Sequence, residues 1–421
     1  MQNEILLDRE NRQVKVNKLL EKYPSVISIH ANIMGNDKCL FESYYLTNHF
    51  LSLVAKSVKG DTFFYQGKDG PAYLIGTNEK QLKELLMKIE NENALGRYID
   101  LDVYENKNTS TSRKERRKCI ICGDEVAVCS RLKRHSTEEL LTVLRYELKK
   151  HLLKEMEALI DAAIIEELEL EDKFGLVTKT SSGSHQDMDY HLMLKAKNAI
   201  VPYLVKAFEL GYKAKDLKTI LKESRPIGIE AEQKMFAVTN GVNCYKGLIF
   251  VFGIVLMSVG YAFRNLNGFE DIFANVKTIA KDVLNSRADP KTFGYLARAE
   301  HNFKGVLGEV QSGLSTVYGV CLHYIDKELS LNDKYVILKE LILNSEDSVF
   351  FKRAGSLNNY YVYKQMLKNV DAKREFERVE FTKYAIYRNL SFGGSADLLI
   401  VLFFILKIKK KMNWSNHEKN N

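Results

Sequence analysis

The sequence predicts a multidomain protein, an N-terminal α+β domain followed by an all-α domain, on three observations. The chain has 421 residues, more than one ordinary domain gathers around a single core, so two or three domains are expected. Its first hundred residues alternate strand-like and helix-like runs. From residue 136 onward, helical patterns separated by glycine-containing loops continue nearly to the end, with few strand candidates. Hydrophobic residues at 45%, charged residues at 28% and only 5 prolines exclude disordered and collagen-like chains.

In chain order, 26–31 reads as a strand, 48–58 as a helix, 72–75 as a strand, 79–89 as a helix and 98–103 as a strand. Ser136 and Glu139 have the spacing of a capping box and open a helix over 137–168. The domains are placed at 1–145 and 146–421, with the boundary within or beside that helix. Residues 247–263 are apolar but short for a bilayer and broken by Gly253, Ser258 and Gly260, so a buried helix is expected rather than a membrane span. Residues 398–406 are too short to span and run into a lysine cluster, which suits a helix C-terminus. No secretory signal is read in the charged N-terminal segment, and the cysteines do not form an extracellular disulfide pattern, so a cytoplasmic protein is expected.

Chemistry concentrates first around residue 100. Side chains alternate along a strand, so Asp100 and Asp102 project from one face while Leu101 points the other way. Two such carboxylates repel, and Mg²⁺ relieves the repulsion while neutralising a polyphosphate; solvent-facing acids give the same pattern. Arg97, Arg113, Arg116 and Arg117 lie close by and suit phosphate oxygens. Cys119, Cys122, Cys129 and His135 supply three sulfurs and an imidazole that can close a tetrahedral Zn²⁺ site, although packed thiols or a redox pair fit equally. Between Lys107 and Arg134, nine basic residues oppose three acidic ones, a net +6 that attracts polyanions.

Residues 94–103, Ser112-Arg113, 117–122, 127–131 and His135 together resemble the apo-citrate lyase phosphoribosyl-dephospho-CoA transferases, over about the first 140 residues. The resemblance implies a nucleotidyltransferase-like domain. A serine hydroxyl of the citrate lyase acyl carrier protein (gamma subunit) attacks the phosphate next to the ribose, and pyrophosphate leaves. It further implies Mg²⁺ on Asp100 and Asp102, with Arg97, Arg113 and Arg117 binding phosphate. The segment 32–38 keeps the family's Gly35 and Lys38 but lacks its usual prolines, so a looser loop is expected.

In the helical half, 183–189 places His185 and Asp189 four apart, on one face if helical, with Asp187 beside them. Glu230, Glu232 and Lys246 flank the apolar stretch, Glu309 follows Gly308, and Ser395 could cap a helix ahead of Asp397. The order of 175–177, 183–189, 228–232, 239–243, 246–250, Gly308-Glu309, Gly313 and 393–399 resembles the triphosphoribosyl-dephospho-CoA synthases, from about 150 to 407. That implies joining ATP to 3′-dephospho-CoA with loss of adenine. Asp187, Asp189, Glu230, Glu309 and Asp397 are assigned to the metal and sugar region, with Lys246 and Ser395 on phosphate. Departures from the family's usual residues fall at Phe174, Tyr245, Leu307, Leu314-Ser315, Ala354 and Phe392.

The leading expectation is a bifunctional enzyme that makes and attaches this prosthetic group, with activity confined to the transferase half as its variant. Two other classes stay open: a zinc-stabilised basic nucleic-acid-binding module joined to a helical interaction domain, and a membrane-associated helical protein. Neither membrane nor nucleic acid is the expected partner.

Overall fold

A computed structural model describes residues 2–107, 109–110, 118–283 and 293–412. These divide into two compact units, one reaching Lys154 and one from Glu155 to Lys410.

The first unit is a small antiparallel sheet with helices. Its elements are α1 (Gln2–Leu19), β1 (Ser25–Ala31), α2 (Phe41–Val54), β2 (Asp61–Gly67), β3 (Gly70–Thr77), α3 (Lys83–Glu92), β4 (Ile99–Asn106), β5 (Thr109–Ser110), α4 (Val126–Arg131) and the start of α5 (Thr137–Leu168). The sheet order is β2-β3-β1-β4-β5, antiparallel throughout. β3 is buried along its length and β1 as far as Ile29, so both read as mainly apolar runs that are visible in the sequence. β2 is mostly exposed and carries no such run, which is why it was missed. On one face α2 packs through Tyr73, whose hydroxyl donates to Asn48 Oδ1 at 2.6 Å. On the other, Val16 of α1 packs against Val26 and Leu74, with Tyr104 beside them. The Asp8, Arg9 and Arg12 stripe of α1 is pinned to the β2–β3 turn. Arg9 grips Asp69 through two bonds of 3.0 Å, Arg12 adds a contact of 3.1 Å, and Asp8 accepts from the Asp69 amide at 2.9 Å.

α5 starts and ends where the periodicity predicts. Its capping box forms: the Ser136 amide donates to Glu139 Oε2 at 2.7 Å and the Glu139 amide donates to Ser136 Oγ at 3.2 Å.

The second unit is built of helices joined by loops, with no strand among its described residues. It continues with α6 (Tyr190–Lys213), α7 (Leu217–Val238), α8 (Lys246–Arg264), α9 (Asp271–Ile279), α10 (Phe293–His301), α11 (Gly305–Gln311), α12 (Ser315–Cys321), α13 (Leu331–Asn344), α14 (Ser348–Ala354), α15 (Leu357–Lys368), α16 (Glu375–Tyr387) and α17 (Gly393–Lys409). α8 is long and apolar enough to cross a membrane, but most of it is buried in the bundle against α6, α7, α9 and α17. The 183–189 segment is not helical: it is an irregular loop whose last residue, Asp189, caps α6 by accepting from the Leu192 amide at 2.8 Å. His185 and Asp189 therefore do not share a helix face.

α6 and α8 approach through glycines. A β-carbon at Gly211 would stand 2.0 Å from the Met257 carbonyl oxygen, and one at Gly260 would stand 2.2 Å from that of Phe208. Gly211→Ala and Gly260→Ala should each force the pair apart and cost about 1–3 kcal/mol in urea unfolding of the helical unit. Gly253→Ala, whose β-carbon would meet nothing within 4 Å, should cost less than either and serves as the control.

Candidate functional site

In the first unit, β4 alternates as the sequence predicts: Ile99, Leu101 and Val103 are buried, while Asp100 and Asp102 are half-buried on the opposite face. The β1–β4 register sets Asp100 opposite His30 and Asp102 opposite Ser28. His30 Nε2 lies 3.6 Å from Asp100 Oδ2. Burial, followed by the nearby Arg12 charge, drives His30 down to about 4 against the pull of Asp100 and Asp69, so the ring is neutral near pH 7. His30 Nδ1 and Arg12 Nη1 are buried without hydrogen-bond partners. Sequence reasoning missed His30, Arg9 and Arg12. Arg9 and Arg12 lie some ninety residues before the aspartates, and only the antiparallel sheet and α1 bring them near. Arg113, Arg116 and Arg117 lie outside the described residues.

Arg97 faces a different feature. With Lys118, Lys133, Ser136, Thr137 and residues 32–36, it lines a cavity of about 1130 Å³ whose lining residues do not include Asp100 or Asp102. Arg97 Nη2 donates to the Lys118 carbonyl at 2.8 Å. The 32–38 loop on this rim is closed by Lys38, which donates to the Ile33 carbonyl, an anchor that supplies restraint where prolines were expected. Cys119, Cys129 and His135 also line the cavity, and with Cys122 their ligand atoms all fall within 4.8 Å of one another. None of the six cysteines forms a disulfide.

In the second unit several predicted residues meet at the start of α8. Asp187 and Asp189 approach Cys244: burial first, then these two charges, push its thiol up to about 11. Lys246 Nζ lies 2.9 Å from Glu232 Oε2. Asp397 of α17 presses on Gly247, where a β-carbon would fall 2.3 Å from Asp397 Oδ2. Asp397 keeps a partly open face, yet burial, with the Asp347 and Glu167 charges behind it, pushes its carboxyl well above the usual carboxylate range. His185 lies 3.7 Å from Asp187 and is held by Ser391 Oγ at 2.9 Å and Arg353 at 3.3 Å.

Other predicted residues stand apart. Glu230 is exposed and faces Lys206 at 4.0 Å. Two residues along a helix turn the side chain by about 200°, so Glu232 rather than Glu230 reaches Lys246. Glu309 is buried and spends both oxygens on Thr316, accepting from its amide at 2.8 Å and its hydroxyl at 2.9 Å. Ser395 does lie at the start of a helix, but the anion there is the chain's own. Its amide and hydroxyl donate to Asp347 Oδ2 at 2.7 and 2.9 Å. Asp347 Oδ1 meanwhile accepts from the Val349 and Phe350 amides, both at 3.0 Å, so one buried carboxylate caps α14 and α17 together.

Between α6, α7 and α8 lies a mainly apolar cavity of about 470 Å³, lined by Tyr203, Ile229, Phe250, Gly253 and Met257 among others, with Arg225 and Glu232 as its charged residues. Glu232 thus belongs both to this cavity and to the cluster at the start of α8.

Residues 153–416 match the family model described as ATP:dephospho-CoA triphosphoribosyl transferase. The chain belongs to that family. Residues 1–151 match the apo-citrate lyase phosphoribosyl-dephospho-CoA transferase model, so this triphosphoribosyl transferase carries a second transferase domain ahead of it. The chain is similar over its whole length to the protein named Protein CitXG from Leuconostoc mesenteroides subsp. cremoris, 28% identical over 453 aligned residues and 96% of each chain. It is also similar to the Protein CitXG of Haemophilus influenzae, 27% identical over 447 aligned residues and 96% of each chain. A probable 2-(5''-triphosphoribosyl)-3'-dephosphocoenzyme-A synthase 1 of Salmonella typhi is 30% identical over 271 residues, covering 60% of this chain and 90% of that protein.

Most of the residues that depart from this family's pattern pack in the interior, while Leu307 is half-buried and Ser315 is exposed. Phe174 is fully buried against Phe381 with a positive φ of 57° that proline cannot adopt. Phe392 packs against Phe350 in a tilted pair with ring centroids 4.5 Å apart, while Tyr245, Leu314 and Ala354 are buried. Replacing Asp347 with Ala should strip the shared cap and lower stability by about 2–4 kcal/mol in denaturant titration, with Asp347→Asn losing less because its carbonyl oxygen still accepts.

Proposed function

We propose that the chain carries out two consecutive transfers. The helical unit makes 2′-(5″-triphosphoribosyl)-3′-dephospho-CoA from ATP and 3′-dephospho-CoA, releasing adenine. The N-terminal unit then moves the phosphoribosyl-dephospho-CoA group to a serine of the citrate lyase acyl carrier protein, releasing pyrophosphate. The observation that carries this reading is that both family models match end to end in one chain, which also aligns over 96% of its length with two proteins named Protein CitXG. The product of one half is the substrate of the other. The proposed setting is the cytoplasm, which suits six cysteines outside any disulfide.

For the synthase step, the residues at the start of α8 are the proposed site. Asp187 and Asp189 are exposed carboxylates placed to stabilise positive charge developing on the ribose of ATP. Asp397, whose carboxyl holds its proton unusually tightly, is the proposed proton donor to the departing adenine. Lys246 is the proposed phosphate ligand, oriented by Glu232. Glu309 and Ser395 are proposed as positioning residues, because their polar atoms already hold the chain together. The apolar cavity between α6 and α8 is the proposed seat of the pantetheine arm, a long chain with few charges that needs an apolar slot more than ion pairs.

For the transfer step, the N-terminal unit is proposed to be nucleotidyltransferase-like. Asp100 and Asp102 fit Mg²⁺: two half-buried carboxylates on one strand face, while the unpartnered Arg12 Nη1 on the same side of the sheet is a donor that suits a phosphate oxygen. When bound there, Mg²⁺ would neutralise charge on the leaving pyrophosphate. Arg9 supplies positive charge that Asp100 already senses, and neutral His30 can accept the proton of the attacking serine hydroxyl.

Asp100→Asn and Asp102→Asn should each lower carrier modification, read as intact carrier mass, by at least about a hundredfold while leaving adenine release from ATP unchanged. Asp187→Asn and Asp397→Asn should do the reverse, with carrier modification restored by supplying the triphosphoribosyl product. Loss of both activities in every variant would count against two separate sites. Gly253→Leu, which adds bulk where a β-carbon meets nothing, should raise KM for dephospho-CoA roughly tenfold and leave KM for ATP unchanged.

A further inference from the structure

The segment from Lys118 to Ser136 has almost no hydrophobic support of its own. Ile121, Val126, Val128 and Leu132 are 41%, 44%, 41% and 57% exposed, and within the segment only Cys119 and Cys129 are buried. A chain segment with so little apolar burial needs another source of order. Its backbone is nevertheless tightly shaped. Lys118 and Glu125 form an antiparallel bridge, the Cys119 amide donates to the Asp124 carbonyl at 2.6 Å, and the Gly123 amide returns to the Cys119 carbonyl at 3.1 Å. Gly123 takes a φ of 76°, which glycine adopts without strain. α4 then carries Cys129 back, and the following turn ends at His135.

Everything in this shape points inward at four groups. Cys129 Sγ and Cys119 Sγ are 3.5 Å apart, far beyond a disulfide and close to the edge of about 3.8 Å in a tetrahedron with Zn–S of about 2.3 Å. The Ile121 amide points at Cys119 Sγ from 3.5 Å, a contact that stabilises a thiolate. His135 Nε2 is buried with no hydrogen-bond partner. The structure assigns this cluster as a closed Cys₃His site for one Zn²⁺, and assigns the metal the task of holding the segment that positions Arg97 on the rim of the 1130 Å³ cavity.

The link to Arg97 is a single bond, from its guanidinium to the carbonyl of Lys118, the residue immediately before the first ligand. Four protein ligands leave no open coordination position, so the metal is structural and takes no part in bond making. Arg97 is a positioning target of the metal, and its service to a phosphate rests on the transferase reading above; the metal content does not.

The test uses the full chain purified under reducing conditions without added metal. Elemental analysis should give one zinc per chain, and a mercurial thiol reagent should release it to a colorimetric chelator. Cobalt substituted for zinc should show the intense visible bands and thiolate charge-transfer absorption of tetrahedral sulfur ligation. Cys122→Ser, chosen because Cys122 is the exposed cysteine of the cluster, should lose the metal and lower carrier modification by roughly tenfold or more. Adenine release, measured in the same sample, should not change and reports that the helical unit is folded. Arg97→Ala should lower carrier modification with zinc retained. A wild-type chain without metal whose three clustered thiols react freely would overturn the assignment, as would a Cys119–Cys129 disulfide appearing as the purified state. Zinc bound at one equivalent, with carrier modification unaffected by its removal, would overturn the positioning role while leaving the transferase reading intact.

Discussion

The helical unit depends on how closely α6 and α8 can approach. With Gly211 and Gly260 each set against a backbone carbonyl of the partner helix, the two backbones come nearer than any pair of larger side chains would permit. That contact anchors α8, an almost wholly apolar helix, at the centre of the bundle. The residues at its start, Cys244 to Gly247, are consequently placed where α17 brings Asp397 and the 183–189 loop brings Asp187 and Asp189. The meeting of these groups is a by-product of core packing: the helix must be buried, so its start becomes a fixed point on which distant loops converge.

Charge is handled inside this unit by sharing. Asp347 satisfies the amides of two helix starts at once, and Glu167, almost fully buried, pairs with Lys173 at 2.6 Å. Such groups are tolerated in the interior because each finds partners; burial first, then Asp347 and Glu167, raises the Asp397 carboxyl above the usual range. The departures from the family pattern fit the same logic. Phe174 and Phe392 stand where proline was expected and Tyr245 where histidine was expected, and all three are buried, so the local shape there rests on packing.

The N-terminal unit works by register. A period of two along β4 is enough to set Asp100 and Asp102 side by side, and this was legible in the residues alone. What stands opposite them was not. His30 reads as one of three polar residues in a mainly apolar strand, with Ser25 and Ser28, and becomes a neighbour of Asp100 only through the β1–β4 pairing. Arg97, adjacent in sequence, instead turns to another cavity, because the short helical turn at 96–98 redirects the chain before the strand begins. Proximity in sequence was a poor guide to which cations attend the acids.

Local rules decided much of this protein. Helix α5 with its capping box, the buried α8, the strand carrying the paired aspartates and the metal-ligand spacing near residue 120 all follow from periodicity, side-chain chemistry and short-range hydrogen bonding. Tertiary structure alone decided that Glu232 and not Glu230 meets Lys246, that Glu309 and Ser395 are spent on internal bonds, and that the 183–189 motif is a loop. The physical reason is one of range. Backbone propensity acts over a few residues, whereas the identity of a carboxylate's partner is set by contacts across many tens of residues, which only the folded chain makes.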